Sequence, residues 1–348
     1  MSDETQATSQ RKTPLRVRSY DVAELAGVSQ STVSRALAGS AAITEATRTR
    51  VVEAARKLGY QVDDRAARLR SGRTETIAVV VIGQAGAPPS SVNPFNFALL
   101  GSVCAEAADR GLHSLVSFQS EEERFFSQFV ERGQADAVIV IGTTTNQPAW
   151  DYFRAANDGQ PHMAFWGSPF DDHAAIRSDN MAGGRLAVDV LLGAGYRRIA
   201  FIGDTTSTQR QFAERYDGYC AALRENGLEP LAAAAGAGET RQDQGRAAIA
   251  DLLDGGDPPD AVFAACDAMA FGAVAELRAR GVALPQDFGI IGFDGLGGGA
   301  LCEPPLTTIE PDFGAAAKLL IDAGLAPQED ALSARVPVRL IERASVRK

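Results

Sequence analysis

Residues 17–60 carry apolar positions at helical spacing in three short stretches. In the first, Val22, Leu25 and Ala26 share one face, and Gly27 supplies the left-handed residue that closes a helix. Ser29 is a good N-cap for the second. There Val33, Ala36 and Leu37 fall inward at i, i+3, i+4, leaving Gln30, Ser31, Ser34 and Arg35 outward. Thr44 is placed to cap a third helix, through Val51, Val52, Ala55 and Leu58 to Gly59. From Thr76 the texture changes. Apolar runs at 76–82, 115–118, 137–141 and 163–166 suit buried parallel strands, with helical stretches near 97–111, 121–133 and 149–157. A second series has strands at 199–202, 261–265 and 289–293, helices near 181–193, 212–226, 241–254, 267–280 and 312–324, and a last strand at 336–341. Two successive βαβ series predict two doubly wound α/β lobes facing each other across a cleft. The expected division is a disordered arm at 1–16, a helix-turn-helix headpiece at 17–60, a linker or marginal helix at 61–74, and a two-lobed core at 75–348.

Charge changes this picture more than composition does. The net charge is −10, yet residues 1–73 hold 13 Lys and Arg against 8 Asp and Glu. A basic end on an acidic body suggests a module that binds a polyanion, or a solubilising basic tail. No apolar run reaches the roughly 18 residues of a membrane span. The polar N-terminal stretch has no apolar segment of the kind that directs secretion, so a cytoplasmic protein is expected. Cys104, Cys220, Cys266 and Cys302 have no C-x-x-C spacing and fit reduced structural residues.

Catalytic patterns are weak. Gly295-Leu296-Gly297-Gly298-Gly299 lacks the Lys-Ser/Thr of a phosphate loop and suits a flexible loop. Asp171-Asp172-His173 suits a solvated loop better than a metal site, and there is no G-x-S-x-G elbow. Neither enzymatic activity nor a cofactor or metal is expected.

A short helix, a tight glycine turn and a second helix with a polar outer face form a helix-turn-helix plan. In the major groove Gln pairs with adenine, Arg with guanine, and Ser or Thr with several groups. Tyr20-Asp21-Val22-Ala23, Ala26-Gly27-Val28-Ser29 and Thr32-Val33-Ser34-Arg35 resemble the headpiece of the lactose-repressor family. The resemblance continues through Leu58-Gly59-Tyr60, Ser178-Asp179-Asn180, Cys266-Asp267-Ala268-Met269-Ala270, Gly289-Ile290-Ile291-Gly292-Phe293-Asp294 and Pro304-Pro305-Leu306-Thr307-Thr308. It implies a transcription regulator that represses from a palindromic duplex operator, working as a homodimer with a periplasmic-binding-protein-like core. Under it Gln30 and Ser31 read bases, Arg35 meets a base edge, and Tyr20, Ser29, Thr32 and Ser34 touch phosphates. Leu69 becomes a minor-groove wedge, where local sequence alone allows a plain helix contact. The resemblance makes 63–70, within the 61–74 segment, a hinge helix; Val62-Asp63 departs from the family pattern at its start, and Ala38 departs from it just after the recognition helix.

Ligands of open α/β sheets bind beyond the carboxyl ends of the strands. Phe95, Asn96, Trp166, Arg215 and Asp267 stand there, and a carboxylate, a guanidinium, an amide and ring faces suit a small sugar-like effector. Read singly, Phe95 and Trp166 fit a core equally well, Asp267 a helix cap, and Arg215 a surface ion pair. The resemblance assigns Arg215 and Asp267 to effector contact. Thr240 stands where many members have an aromatic. Rival classes are a sugar receptor with the same core and a cytosolic α/β enzyme such as a sugar kinase. The headpiece argues against the first and the missing phosphate loop against the second.

Overall fold

A computed structural model describes residues 17–60, 73–88, 92–157, 162–170, 174–326 and 333–348. The expected hinge helix, Leu69 and the 171–173 triplet lie outside the described residues. The chain divides into two compact units, Met1–Gly72 and Arg73–Lys348.

The first unit packs α1 (Ser19–Ala26), α2 (Gln30–Leu37) and α3 (Glu45–Leu58) around a small core. Val22, Ala23, Ala26, Val33, Ala36, Val51, Ala54 and Ala55 fill it. Two expectations shift by one helical step. Leu25 and Val52 are about half exposed, at 52% and 48%, while Ala23 and Ala54 turn inward. Thr44 occupies the cap position of α3, but its hydroxyl pairs with that of Thr47 (3.0 Å) and makes no backbone cap bond.

The first lobe of the second unit is a parallel sheet of order β2-β1-β3-β4, built from β1 (Thr76–Ile82), β2 (His113–Gln119), β3 (Ala137–Gly142) and β4 (Met163–Phe165). Helices α4 (Pro94–Asp109) and α5 (Gln147–Asn157) cover it. β1 and β3 are buried almost throughout, which is why they read as unbroken apolar runs. The helix expected near 121–133 does not form. Gln119 is buried and clamps the backbone of Phe126 from both sides: Phe126 N–H donates to its Oε1 (2.8 Å) and its Nε2 donates to the Phe126 carbonyl (2.9 Å). A single 3-10 turn at Glu122–Arg124 remains.

A short parallel pair follows, with β5 (Ile176–Ser178) against β10 (Ala334–Val336). The second lobe comprises α6 (Asn180–Gly193), β6 (Ile199–Ile202), α7 (Arg210–Glu225), α8 (Arg241–Asp254), β7 (Ala261–Ala264), α9 (Asp267–Ala279), β8 (Gly289–Phe293), β9 (Thr307–Pro311) and β11 (Val338–Ile341). Its sheet runs β11-β9-β8-β7-β6, with β11 alone antiparallel.

The chain crosses between lobes three times, which periodicity did not reveal. α10 (Phe313–Leu325) follows a second-lobe strand yet packs on α4, β3 and β4 of the first lobe. The expected single strand at 336–341 is two. Pro337 has no N–H to donate, and the pairing changes there from parallel β10 in one lobe to antiparallel β11 in the other. The crossings are stitched together: Asp179 N–H donates to the Val336 carbonyl (2.8 Å) and Asp312 N–H to that of Pro337 (2.9 Å). The same two aspartates cap α6 and α10 with their side chains.

Candidate nucleic-acid interface and ligand cleft

The turn between α1 and α2 is tight because Gly27 sits at φ 65°, which lets Val28 N–H return to the Ala23 carbonyl (3.0 Å). Ser29 then caps α2, accepting from Thr32 N–H at 3.2 Å. Its hydroxyl also lies 2.9 Å from Ser31 Oγ and 2.8 Å from Thr32 Oγ1. A cluster of hydroxyls thus surrounds a helix N-terminus whose backbone N–H groups favour anions. Gln30, Ser31 and Arg35 are exposed, Thr32 and Ser34 half-buried, and Tyr20 projects with 67% of its surface free. The Gln30 amide donates one N–H to Ser19 Oγ (2.7 Å) and keeps a second N–H and its carbonyl oxygen for other partners.

In the core unit, α6 and α7 place Arg215. A Cβ at Gly184 would collide with the Arg215 carbonyl, and one at Gly218 with the Met181 carbonyl. Only glycines let the two backbones touch. Arg215 is 4% exposed. Its guanidinium lies over the Phe293 ring (3.4 Å to the centroid) and donates to the Ala265 carbonyl (2.5 Å) and to Asn180 Oδ1 (3.0 Å). Asp294 faces it at 3.6 Å. Burial pulls Arg215 below its ordinary pKa, opposed by the Asp294 charge. Burial also pushes the Asp294 carboxyl up to about 7, against Arg215 and Arg241.

A cavity of 260 Å³ opens at Asp294, a little below the roughly 300 Å³ at which ligand sites begin. The first lobe contributes Pro94, Ala98 and Phe313, and the second Phe271, Asp294 and the glycine-rich loop at 295–298. Phe313 rests on Phe95 (5.3 Å between ring centroids), and Phe95 on Trp166 (6.0 Å). Phe95 and Trp166 are therefore buried behind the first-lobe wall, at 9% and 7% exposure, and Asn96 is likewise buried.

Asp267 is fully enclosed. Its Oδ2 accepts from Leu296 N–H (2.7 Å) and its Oδ1 from the Thr308 hydroxyl (2.5 Å). It ties the cavity loop to β9 from behind. Asp294, which sequence reasoning did not single out, is the carboxylate at the cavity. Its backbone is the signal: φ is 120° at a residue that is not glycine, a strain of the kind that collects at functional sites. The loop at 295–299, read from sequence as merely flexible, lines the cavity over most of its length.

Comparison with known proteins accords with this arrangement. Residues 20–63 match the profile of bacterial regulatory proteins, lacI family, and residues 188–346 that of a periplasmic binding protein-like domain. The transcriptional repressor CytR of Escherichia coli K12 is 31% identical over 297 residues, 83% of either chain. The regulator CelR of Thermobifida fusca is 33% identical, covering 83% of this chain and 85% of its own. The ribose operon repressor of Escherichia coli K12 is 32% identical, covering 87% and 90%. Among solved structures, a lac repressor dimer bound to operator and the anti-inducer ONPF superposes with a TM-score of 0.74 at 25% identity, over 96% of this chain and all of that one. A CelR–cellobiose complex gives 0.63 at 28% identity, over 95% and 100%. A helix-turn-helix headpiece joined to a two-lobed α/β core defines a class of transcription regulators. The chain belongs to the lacI family of bacterial regulatory proteins.

Proposed function

We propose that the protein is a homodimeric, sequence-specific repressor that acts on DNA in the cytoplasm and is controlled by a small polyhydroxylated effector, with recognition rather than catalysis as its role. The observation that carries this reading is the buried Asp294 in the wall of the cavity between the lobes, with Arg215 behind it at 3.6 Å. A guanidinium and a carboxylate offer charge-assisted hydrogen bonds to hydroxyls, while Phe271 and Phe313 offer ring faces to the C–H side of a sugar. Cellobiose in the CelR complex supports a sugar as the effector class. Asp267 serves the site from behind its wall, and Phe95 and Trp166 support Phe313.

At the headpiece, Gln30 and Ser31 read bases, Arg35 meets a base edge, and Tyr20, Ser29, Thr32 and Ser34 position the helix on phosphates. Leu69 is assigned to minor-groove wedging between the two protomers. The dimer reading is supported by the operator-bound lac repressor dimer and by an apolar face on the first lobe. There the edge strand β2 exposes Val116 and Phe118 on the same face, with Phe97 of α4 beside Phe118 (6.1 Å).

The test has two arms. Selection of bound fragments from the genome should return a palindromic motif, with binding that falls by a log–log salt slope of roughly −0.9 per neutralised phosphate. A thermal-shift screen of mono- and disaccharides and nucleosides should find a stabilising ligand, worth roughly 2.7 kcal/mol at a hundredfold excess over Kd. Absence of any selected motif removes the operator reading. Absence of a shift with every one of these hydroxylated ligands removes the sugar-like effector.

A further inference from the structure

Arg177 on β5 and Arg335 on β10 are direct partners in the parallel pair where the chain crosses between lobes. Two like charges at opposed positions destabilise a strand pair. One carboxylate neutralises both. Glu214 of α7 accepts from Arg177 at 3.2 Å and, in a two-pronged contact, from Arg335 at 2.7 and 3.0 Å. A fourth donor comes from α6: Asn180 Nδ2 reaches Glu214 Oε2 at 2.7 Å. Partial burial pushes the Glu214 carboxyl up, and the bonds from Arg335 and Asn180 outweigh it, so its pKa lies below the ordinary value.

The contact does not stop at Asn180. That side chain is 1% exposed, and its other amide atom, Oδ1, accepts from Arg215 Nε (3.0 Å). Arg215 continues to the Ala265 carbonyl and to Asp294 at the cavity. Asn180 has one donor end and one acceptor end, and both are taken. Its orientation is therefore tied at once to Glu214 and to Arg215. An unbroken chain of polar contacts runs from the crossing strands to the cavity.

We propose that Glu214 is a positioning residue that couples the interlobe strands to the cavity through Asn180 and Arg215. The proposal rests on reading the cavity as the effector site, though its test needs no effector. A ligand that draws Arg215 away from the Ala265 carbonyl alters the Arg215–Asn180 bond. Asn180 passes the change to Glu214, which alters its hold on Arg177 and Arg335. By linkage the coupling is reciprocal, so disturbing either end disturbs the other.

The experiment is amide hydrogen exchange on the full-length protein and its variants. Glu214→Gln keeps the side-chain shape and removes the charge. Exchange should speed at 176–178 and 334–336, and also at 265–268 and 294–296, by about tenfold or more, the equilibrium factor of one lost charge-assisted bond. Asp294→Asn should speed exchange at 176–178 and 334–336 in return. In an Asn180→Ser background, Glu214→Gln should no longer reach the cavity segments. Protection within β1 and β3 should stay at parental levels, which excludes general loosening. Should Glu214→Gln fail to fold, Glu214→Asp gives the same readout with the charge withdrawn by one carbon. Loosening confined to the crossing strands in the Glu214 variant, with cavity segments at parental rates, overturns the coupling. So does a cavity response that persists undiminished without Asn180.

Discussion

Asp267 and Asp294 are both buried acids of the second lobe, with opposite tasks. Both oxygens of Asp267 are occupied by Leu296 N–H and Thr308. Asp267→Ala leaves two buried donors unpartnered, at about 1–3 kcal/mol each. Its main expected effect is a lower melting temperature, read by calorimetry. Asp294→Asn should keep the fold and operator affinity while weakening binding of the effector about 10- to 150-fold. Calorimetric titration beside an operator-binding assay checks this, and an unchanged titration removes Asp294 from the site. Asp294 also sets a pH dependence. Burial raises it from the ordinary 3.8 to about 7 in the folded protein. The folded state then holds the proton more tightly than the unfolded one. The stability this gives is complete below the unfolded value and is lost as pH rises through about 7. Urea midpoints of the parent should therefore fall relative to those of Asp294→Asn between about pH 4 and pH 7 and level off above. A gap that does not change with pH would show the carboxyl to be unshielded. On the headpiece, Gln30→Ala should alter the preferred base at one symmetric pair of operator positions, worth about 1–3 kcal/mol of discrimination. Retention of the parental motif in the same fragment selection argues for a different helix register.

The element that governs the cleft is the α6–α7 pair. Its backbones touch at Gly184 and Gly218, and Arg215 lies in that contact. Gly184→Ala forces the helices apart at the Arg215 carbonyl. Overpacking of this kind costs about 1–3 kcal/mol, and here it also shifts the backbone of Arg215, whose guanidinium meets Asp294 at the cavity wall. The expected result is a lower denaturation midpoint together with a weaker effector response. Loss of stability alone would separate the helix contact from the site. Helices and strands whose faces are covered by the local layer were legible from spacing, as β1, β3 and the α7 stretch show. The 121–133 stretch was not, because a single buried glutamine outcompetes the helical hydrogen bonds there. The shift of Leu25 and Val52 outward has a similar origin. Alternative faces of a short helix differ little in hydrophobicity, and the neighbouring helices choose between them.

At the scale of the whole molecule, Val116 and Phe118, exposed on one face of an edge strand, form a surface that a second copy would cover. Phe118→Glu places a charge in that face. It should give a monomer by analytical ultracentrifugation, with operator affinity reduced because two half-sites no longer bind as a unit. A dimer that persists undisturbed places the interface elsewhere.

The two α/β lobes, the helix-turn-helix unit and membership of the family were all legible in the linear pattern. The reason is that they rest on local periodicity and on short runs such as Ala26-Gly27-Val28-Ser29, whose capping and turn chemistry is complete within a few residues. The partner of each charged side chain was not legible. Asp267 and Asp294 both follow second-lobe strands in the sequence, and nothing local separates the one that ties the loop from the one that faces the cavity. The three crossings, the return of α10 to the first lobe and the division at Pro337 bring together residues more than a hundred positions apart, such as Arg335 and Glu214. Such contacts depend on how the layers dock. Burial then determines which carboxylate stays charged and which cation it meets.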